Sequence, residues 1–381
     1  MKNNLNRNSY RILENEGEIS RKTICSLTTR VTGELIDSNE LTKIMQPKNY
    51  SGILLIDGKF VPVRNTKKAK YGFLPKSAKR RGKTKGGLVI ISYMDYLTHD
   101  IPIYEIALSE NMYDIEAGFR KLKEIGYLLR VVVCDESMGE IAQVAKKMYP
   151  DVIIQTCLTH YGRVIDRTFK AKAAKRRIKA LENKLRKLDD WHLRPTWHYS
   201  RERAIQLTNE IAELEFEYGY LIRIEEIFQD IFWKAKDLED LNYYENELNV
   251  AIAWMDLKRY PYGKRIKDRY LDYYEKREQI IASIMNPEPE IPRTTNLIEG
   301  FHSTTLEIRF TSIRGFKKEQ NARNYINALI LKYRFHKFTD CKKKFKNLNG
   351  RSPLEIAAPK NHQNFRNHDW VRFCRNLKKR P

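Results

Sequence analysis

The sequence predicts an α/β protein whose core is interrupted by a large all-α insertion and preceded by a small helical module. Three observations carry this. Residues 128–163 run from a Val-rich apolar stretch through an amphipathic segment to a second apolar stretch, which reads as strand–helix–strand. Three earlier short apolar runs, at 51–63, 87–93 and 101–107, add strands to the same sheet. Residues 168–285 instead repeat apolar residues at spacings of three and four, the period of helices.

Taken in order, residues 1–48 read as a helix-turn-helix-like DNA-binding module. Ser20 is placed to cap a helix from Arg21 to Leu35 with Ile24, Leu27 and Val31 inward, leaving Arg21, Lys22, Thr28, Thr29 and Arg30 to face DNA. Any short amphipathic helix would show the same pattern. Residues 49–167 form the first part of the core. Its first strand region reads strand, Asp57-Gly58, strand, and Asp-Gly is also a hairpin-turn dipeptide. A helix with Ile115, Phe119, Leu122 and Ile125 inward stops at Gly126. The run Leu128–Cys134 ends on Asp135, after which Ser137 and Glu140 have the spacing of a capping box. A last strand over 152–154 precedes Cys157-Leu158-Thr159-His160.

The insertion, 168–292, pairs Ile178, Leu181, Leu185 and Leu188 with Leu207, Ile211, Leu214, Tyr218 and Leu221 as an antiparallel coiled-coil hairpin, with Trp191 and Trp197 near its tip. Three prolines in 286–293 make a stiff connector. Core residues resume over 293–340, where Asn296 and Glu299 again have capping-box spacing and Glu299, His302, Ser303, Leu306, Arg309 and Phe310 share a helix face. Residues 341–381 read as a basic, poorly patterned tail.

Charge narrows the function classes. Lys and Arg number 71 against 48 acids, a net of +23. Residues 64–85 hold ten basic residues and no acid, and 332–381 hold fifteen against three, so these two segments carry nearly all of the excess. Segregated positive charge is the footprint of a polyanion, above all nucleic acid. The five cysteines are few, odd in number and contain no Cys-x-x-Cys, which argues against a zinc ribbon and fits a reducing, cytoplasmic setting. No apolar stretch is long enough to span a membrane.

Asp57, Asp135 and Glu299 are the candidate catalytic residues. Each has a purely structural explanation: a hairpin turn, a helix start and a capping box. Together, on a basic protein, three carboxylates suit hard divalent cations such as Mg²⁺, with Mn²⁺ able to substitute, and two such ions serve in-line phosphoryl displacement. One acid on a first strand, one after a fourth and one on a late helix is the arrangement of an RNase H-like nuclease core. Cys157 and His160 supply two zinc-type ligands without two more, so they stand either as contacts near the site or as packed side chains. Lys79, Arg80, Arg81, Arg176, Arg177, Arg293, Asn296, Arg309 and Trp197 complete the expected DNA contacts. For the arm from Lys170 to Lys179 a solvated charged face is a strong competing explanation.

These motifs resemble the DDE transposases of prokaryotic insertion sequences, nearest the Mutator-like group. The resemblance covers roughly residues 50–335. It rests on Ile56-Asp57-Gly58, on Val133-Cys134-Asp135, on Cys157-Leu158-Thr159-His160 with its Cys-x-x-His spacing, and on Thr295-Asn296-Leu297-Ile298-Glu299-Gly300-Phe301 after a large helical insertion. It implies an RNase H-like mixed sheet, metal-dependent cleavage of double-stranded DNA at element ends, strand transfer of the freed 3′-hydroxyl into target DNA, and a homodimer or larger synaptic assembly. A DNA-binding protein without catalysis and a structure-specific nuclease on the same core are the alternatives.

Overall fold

The computed structural model describes residues 21–63, 86–109, 111–135, 139–189, 197–254, 263–313, 316, 318–359 and 369–379. They pack as two compact units, one drawn from 1–154 and 294–381, the other from 155–293.

The first unit is mixed α/β. Helices α1 (Arg21–Gly33) and α2 (Ser38–Met45) lead into strands β1 (Ile53–Val63), β2 (Gly86–Asp95) and β3 (Ile103–Ala107), helix α3 (Met112–Glu124), strand β4 (Val131–Cys134), helix α4 (Gly139–Met148) and strand β5 (Ile153–Thr156). The sheet order is β3-β2-β1-β4-β5; β1–β2 and β2–β3 are antiparallel and β1–β4 parallel. One sheet face is buried by α3 and α4: Leu54, Ile56, Val132 and Cys134 join Ile115, Phe119, Leu122, Ile141 and Val144 in one cluster. These are the residues that the periods of two and 3.6 select. Asn111 caps α3 by accepting from the Tyr113 and Asp114 amides. Gly118 of α3 lies over the Tyr93 phenol, where any Cβ would overlap the ring.

Two sequence expectations change here. Asp57-Gly58 is not a turn: β1 continues unbroken to Val63, and its register with β2 runs from Leu54↔Asp95 to Val63↔Gly86. The inner face of α1 is also displaced. Thr28 and Thr32 are buried, whereas Leu27 is exposed, so Thr28 is withdrawn from any DNA-facing surface; Arg30 is exposed. The reason is tertiary, since α1 packs on α14 (Glu319–Phe335) rather than standing alone.

The helices before the sheet are built into this unit. The Asn39 side chain accepts from the Tyr104 amide and donates to its carbonyl, both at 3.0 Å, so α2 covers the free edge of β3. Leu35, Ile36, Leu41 and Met45 share a cluster with Ala328 and Leu331 of α14, Leu354 of α15 (Pro353–Ala357) and Cys374 of α16 (Trp370–Lys378). Within 341–381, a 3₁₀ turn at Lys343–Leu348, α15 and α16 are folded, and Ser352 with Glu355 closes a capping box. These elements are too short to show a period, and their apolar residues find partners only across the chain.

The second unit is helical. It begins at Gln155, so α5 (Leu158–Phe169) belongs to it, ahead of α6 (Ala171–Asp189), α7 (Trp197–Trp233), α8 (Leu238–Trp254), α9 (Gly263–Glu275), α10 (Arg277–Ile280) and α11 (Ala282–Met285). α6 and the first half of α7 zip along Ile178, Leu181, Leu207 and Leu214, with Leu185, Leu188, Ile211 and Tyr218 alongside. The second half of α7 enters another core with Leu158, Tyr161, Ile165 and Phe169 of α5, Leu241 and Leu248 of α8 and Tyr273 of α9. Buried Glu245 is held there by Arg277 at 2.6 and 2.9 Å and by the Tyr273 hydroxyl at 2.7 Å. Among the described residues no helix is long and apolar enough to cross a membrane.

Candidate functional site

The first two acids are brought level by strand register. β1 and β4 pair Ile53↔Val131, Leu54↔Val132 and Leu55↔Val133. Counted two residues beyond the last pair, Asp57 is level with Asp135, which follows the end of β4. Because side chains alternate, and Leu54, Ile56, Val132 and Cys134 face the core with α3 and α4, Asp57 and Asp135 project to the opposite face. Asp57 stands within β1, and Asp135 follows directly on β4; both are half-buried. The carboxyl ends of parallel strands are where such sheets place ligands.

The third acid comes from a helix on that opposite face. α12 (Asn296–Phe301) lies against β1 and runs through a π-helical segment, His302–Glu307, into α13 (Ile308–Ile313). Asn296 is not the cap. Thr295 occupies that position without capping through its side chain; its buried hydroxyl donates instead to Glu299 Oε1 at 3.2 Å. Asn296 is exposed at the first helical position. The π segment widens the helix one turn after Glu299, and Ser303 and Thr304 hydroxyls both donate to the Gly300 carbonyl, at 3.0 and 2.7 Å. Single π turns within α-helices are frequently found at functional sites.

The π segment is tied to β1 at both ends. His302 Nδ1 lies 3.1 Å from Asp57 Oδ2, and Lys59 Nζ lies 2.7 Å from Glu307 Oε2. Lys59 holds the Glu307 carboxyl below its ordinary range, first through the hydrogen bond and then through its charge. Asp57 Oδ1 accepts from the Gly58 amide at 2.9 Å. His302 Nε2 is 3.0 Å from Ser92 Oγ, and Ser92 is the cross-strand partner of Asp57 in β2. Asp57, His302 and Ser92 thus have the connectivity of an acid–base–nucleophile relay. Ser92, however, is fully buried in the sheet, so no substrate reaches its hydroxyl.

His302, Ser92 and Thr295 were not among the site residues read from the sequence. The one available signal was the helix face that His302 shares with Glu299. Nothing local joins His302 to Asp57, 245 positions away.

The expected DNA contacts differ in their settings. Arg309 is buried in α13. Arg293 is half-buried and closes the end of α7, donating to the carbonyls of Phe232 at 2.8 Å and Ala235 at 2.7 Å; burial lowers its pKa. Cys157 is buried at the cap position of α5, and His160 is half-buried in the first turn. Arg176 is exposed on α6, while Arg177 is paired with Glu210 at 2.8 Å. Lys79, Arg80, Arg81, Ser137 and Trp191 lie outside the described residues, as does the side chain of Trp197, which opens α7. Neither a model of a known protein family nor a curated protein matches the chain.

Proposed function

We propose that the protein is a metal-dependent DNA transposase of the DDE type on an RNase H-like core. The observation that carries this reading is the β1–β4 register, which sets Asp57 level with Asp135 on the sheet face that α12, bearing Glu299, packs against. The strand order, with an antiparallel β1–β2–β3 half and β4 parallel to β1, supports the same core. So does the loss of two competing explanations. Asp57 makes no hairpin turn, and Glu299 forms no capping box with Asn296.

By donor type the three acids suit Mg²⁺ or Mn²⁺. All three are hard carboxylate oxygens, carried on a strand, a strand end and a helix, and the acids are half-buried rather than sealed. Asp57, Asp135 and Glu299 would hold the ions. Bound there, paired divalent cations would stabilise both the attacking and the leaving oxygen of an in-line displacement at phosphorus. The chain's own part is to keep the acids rigid and to bind duplex DNA through its positive charge. Lys342, Lys343, Lys344 and Lys346 are exposed together on and beside the 3₁₀ turn and serve this second task. Cleavage exposes a 3′-hydroxyl, and its attack on a target phosphodiester forms one P–O bond as another breaks. A dimeric or larger synaptic assembly follows from the need to hold two ends.

The test uses labelled duplexes taken from the DNA that flanks the coding region, with nicking, strand transfer and binding measured together. Asp57→Asn, Asp135→Asn and Glu299→Gln should each bind DNA as wild type does, yet neither nick nor join strands with Mg²⁺ or Mn²⁺. Wild-type reaction in any one of them removes that residue from the site and this mechanism with it. Binding without reaction in the wild-type protein would instead mark a DNA-binding protein, and nicking of branched DNA without joining a nuclease.

A further inference from the structure

We infer that His302, braced by Ser92, is a positioning residue that fixes the Asp57 carboxylate and ties it to the helix bearing Glu299. The inference rests on the reading of Asp57 as a metal ligand and deepens it. An ionised carboxylate only accepts, so the His302 Nδ1 that faces Asp57 at 3.1 Å must carry the hydrogen. The other ring nitrogen meets the Ser92 hydroxyl at 3.0 Å. Both nitrogens are thereby engaged, and the ring is 3 % exposed, so its orientation is locked. Asp57 is clamped in turn, Oδ1 by the Gly58 amide and Oδ2 by His302.

The clamp has a second consequence. His302 is the first residue of the π segment, one turn after Glu299, and Glu307 at the far end is bonded to Lys59. A segment pinned to β1 at both ends fixes the approach of α12 to that strand. One imidazole thus holds the first acid and the carrier of the third in a single arrangement. Partners of this kind, which touch a ligand rather than a metal, change affinity by about 10–100-fold when removed.

The test distinguishes positioning from simple packing. Asn places an amide N–H where His has Nδ1, and Gln places one where His has Nε2. His302→Asn keeps the bond to Asp57 and loses Ser92; His302→Gln does the reverse, although Gln is nearer to His in size. Mn²⁺ binding to the full chain is measured by electron paramagnetic resonance of the free ion, without DNA, and folding by circular dichroism. Wild type should bind most tightly, His302→Asn less tightly by no more than Ser92→Ala because both lose only the Ser92 brace, and His302→Gln about 10–100-fold more weakly than wild type. Ser92→Ala, which removes one oxygen and frees the ring, should also bind more weakly, and it decides the matter if the His302 variants do not fold. Gln equal to or better than Asn, or an unchanged Ser92→Ala, overturns the inference. Failure of the underlying reading looks different: the wild-type protein binds no Mn²⁺, or Asp57→Asn binds it as well as wild type, and the positioning role falls with it.

Discussion

Arg334→Met should be among the most damaging single substitutions in this protein. Arg334 and Asp100 are both 0 % exposed, and the guanidinium meets the carboxylate through two bonds of 2.8 Å. A third nitrogen, Nη1, donates to the Ser38 carbonyl at 2.8 Å, Ser38 Oγ at 2.9 Å and Thr42 Oγ1 at 2.8 Å. One side chain of α14 thereby joins the turn after β2 to helix α2. Met replaces the volume but strands the Asp100 charge, whose remaining side-chain partner of this set is the Tyr50 hydroxyl at 2.9 Å. Breaking a buried pair from one side costs about 3–5 kcal/mol, and loss of the bonds to Ser38 and Thr42 adds on the order of 1 kcal/mol or more. Against a typical stability of about 5–15 kcal/mol, that is a large fraction. Urea denaturation followed by far-ultraviolet circular dichroism reads it. Removing the stranded charge as well, with Arg334→Met/Asp100→Asn, should recover about 2 kcal/mol or more relative to additivity. A loss under about 1 kcal/mol for the single variant, or additive behaviour in the double, would refute the argument that this pair anchors the amino-terminal helices.

Two further predictions concern pH and salt. His99 is buried against the Phe338 and Phe345 rings, and burial lowers its pKa from 6.5 to about 4. The unfolded chain takes up this proton more readily than the folded one. The contribution is therefore complete above about pH 6.5 and disappears as pH falls toward 4, a difference of up to about 3 kcal/mol. Thermal melts from pH 7.5 to 4.5 should show wild type losing stability faster than His99→Asn, a residue that tolerates the positive φ of 56° found there; parallel curves would exclude the effect. For DNA, replacing Lys342, Lys343, Lys344 and Lys346 by Gln should flatten the dependence of log affinity on log salt by about 0.9 for each phosphate no longer neutralised, alike on all duplexes. An unchanged slope would remove this surface from the DNA interface. Point substitutions are needed because deleting residues 339–381 would also remove α15 and α16 from the core of the first unit.

Local chemistry was legible in the sequence wherever a period repeats. Short apolar runs marked β1, β2 and β4; three-and-four spacing marked α3 and the α6–α7 pair; and Asp135 was placed at a strand end by the apolar run before it. These features depend on neighbours within one or two turns or pleats. The meaning of Asp57-Gly58 was not legible, because a dipeptide that favours a turn is overruled when ten consecutive residues of β1 pair with β2. Nor was the fate of Thr28, Arg293 and Arg309, whose burial follows from packing partners distant in sequence. By itself the sequence determined the strands, the helical insertion, the concentration of positive charge and the identity of three candidate acids. Only the tertiary structure decided that β1 and β4 pair in the register that levels Asp57 with Asp135, and that His302 reaches across 245 positions to hold Asp57. Register and long-range side-chain bonds are fixed by how whole faces fit together, and that information is spread over the chain rather than written at any one place in it.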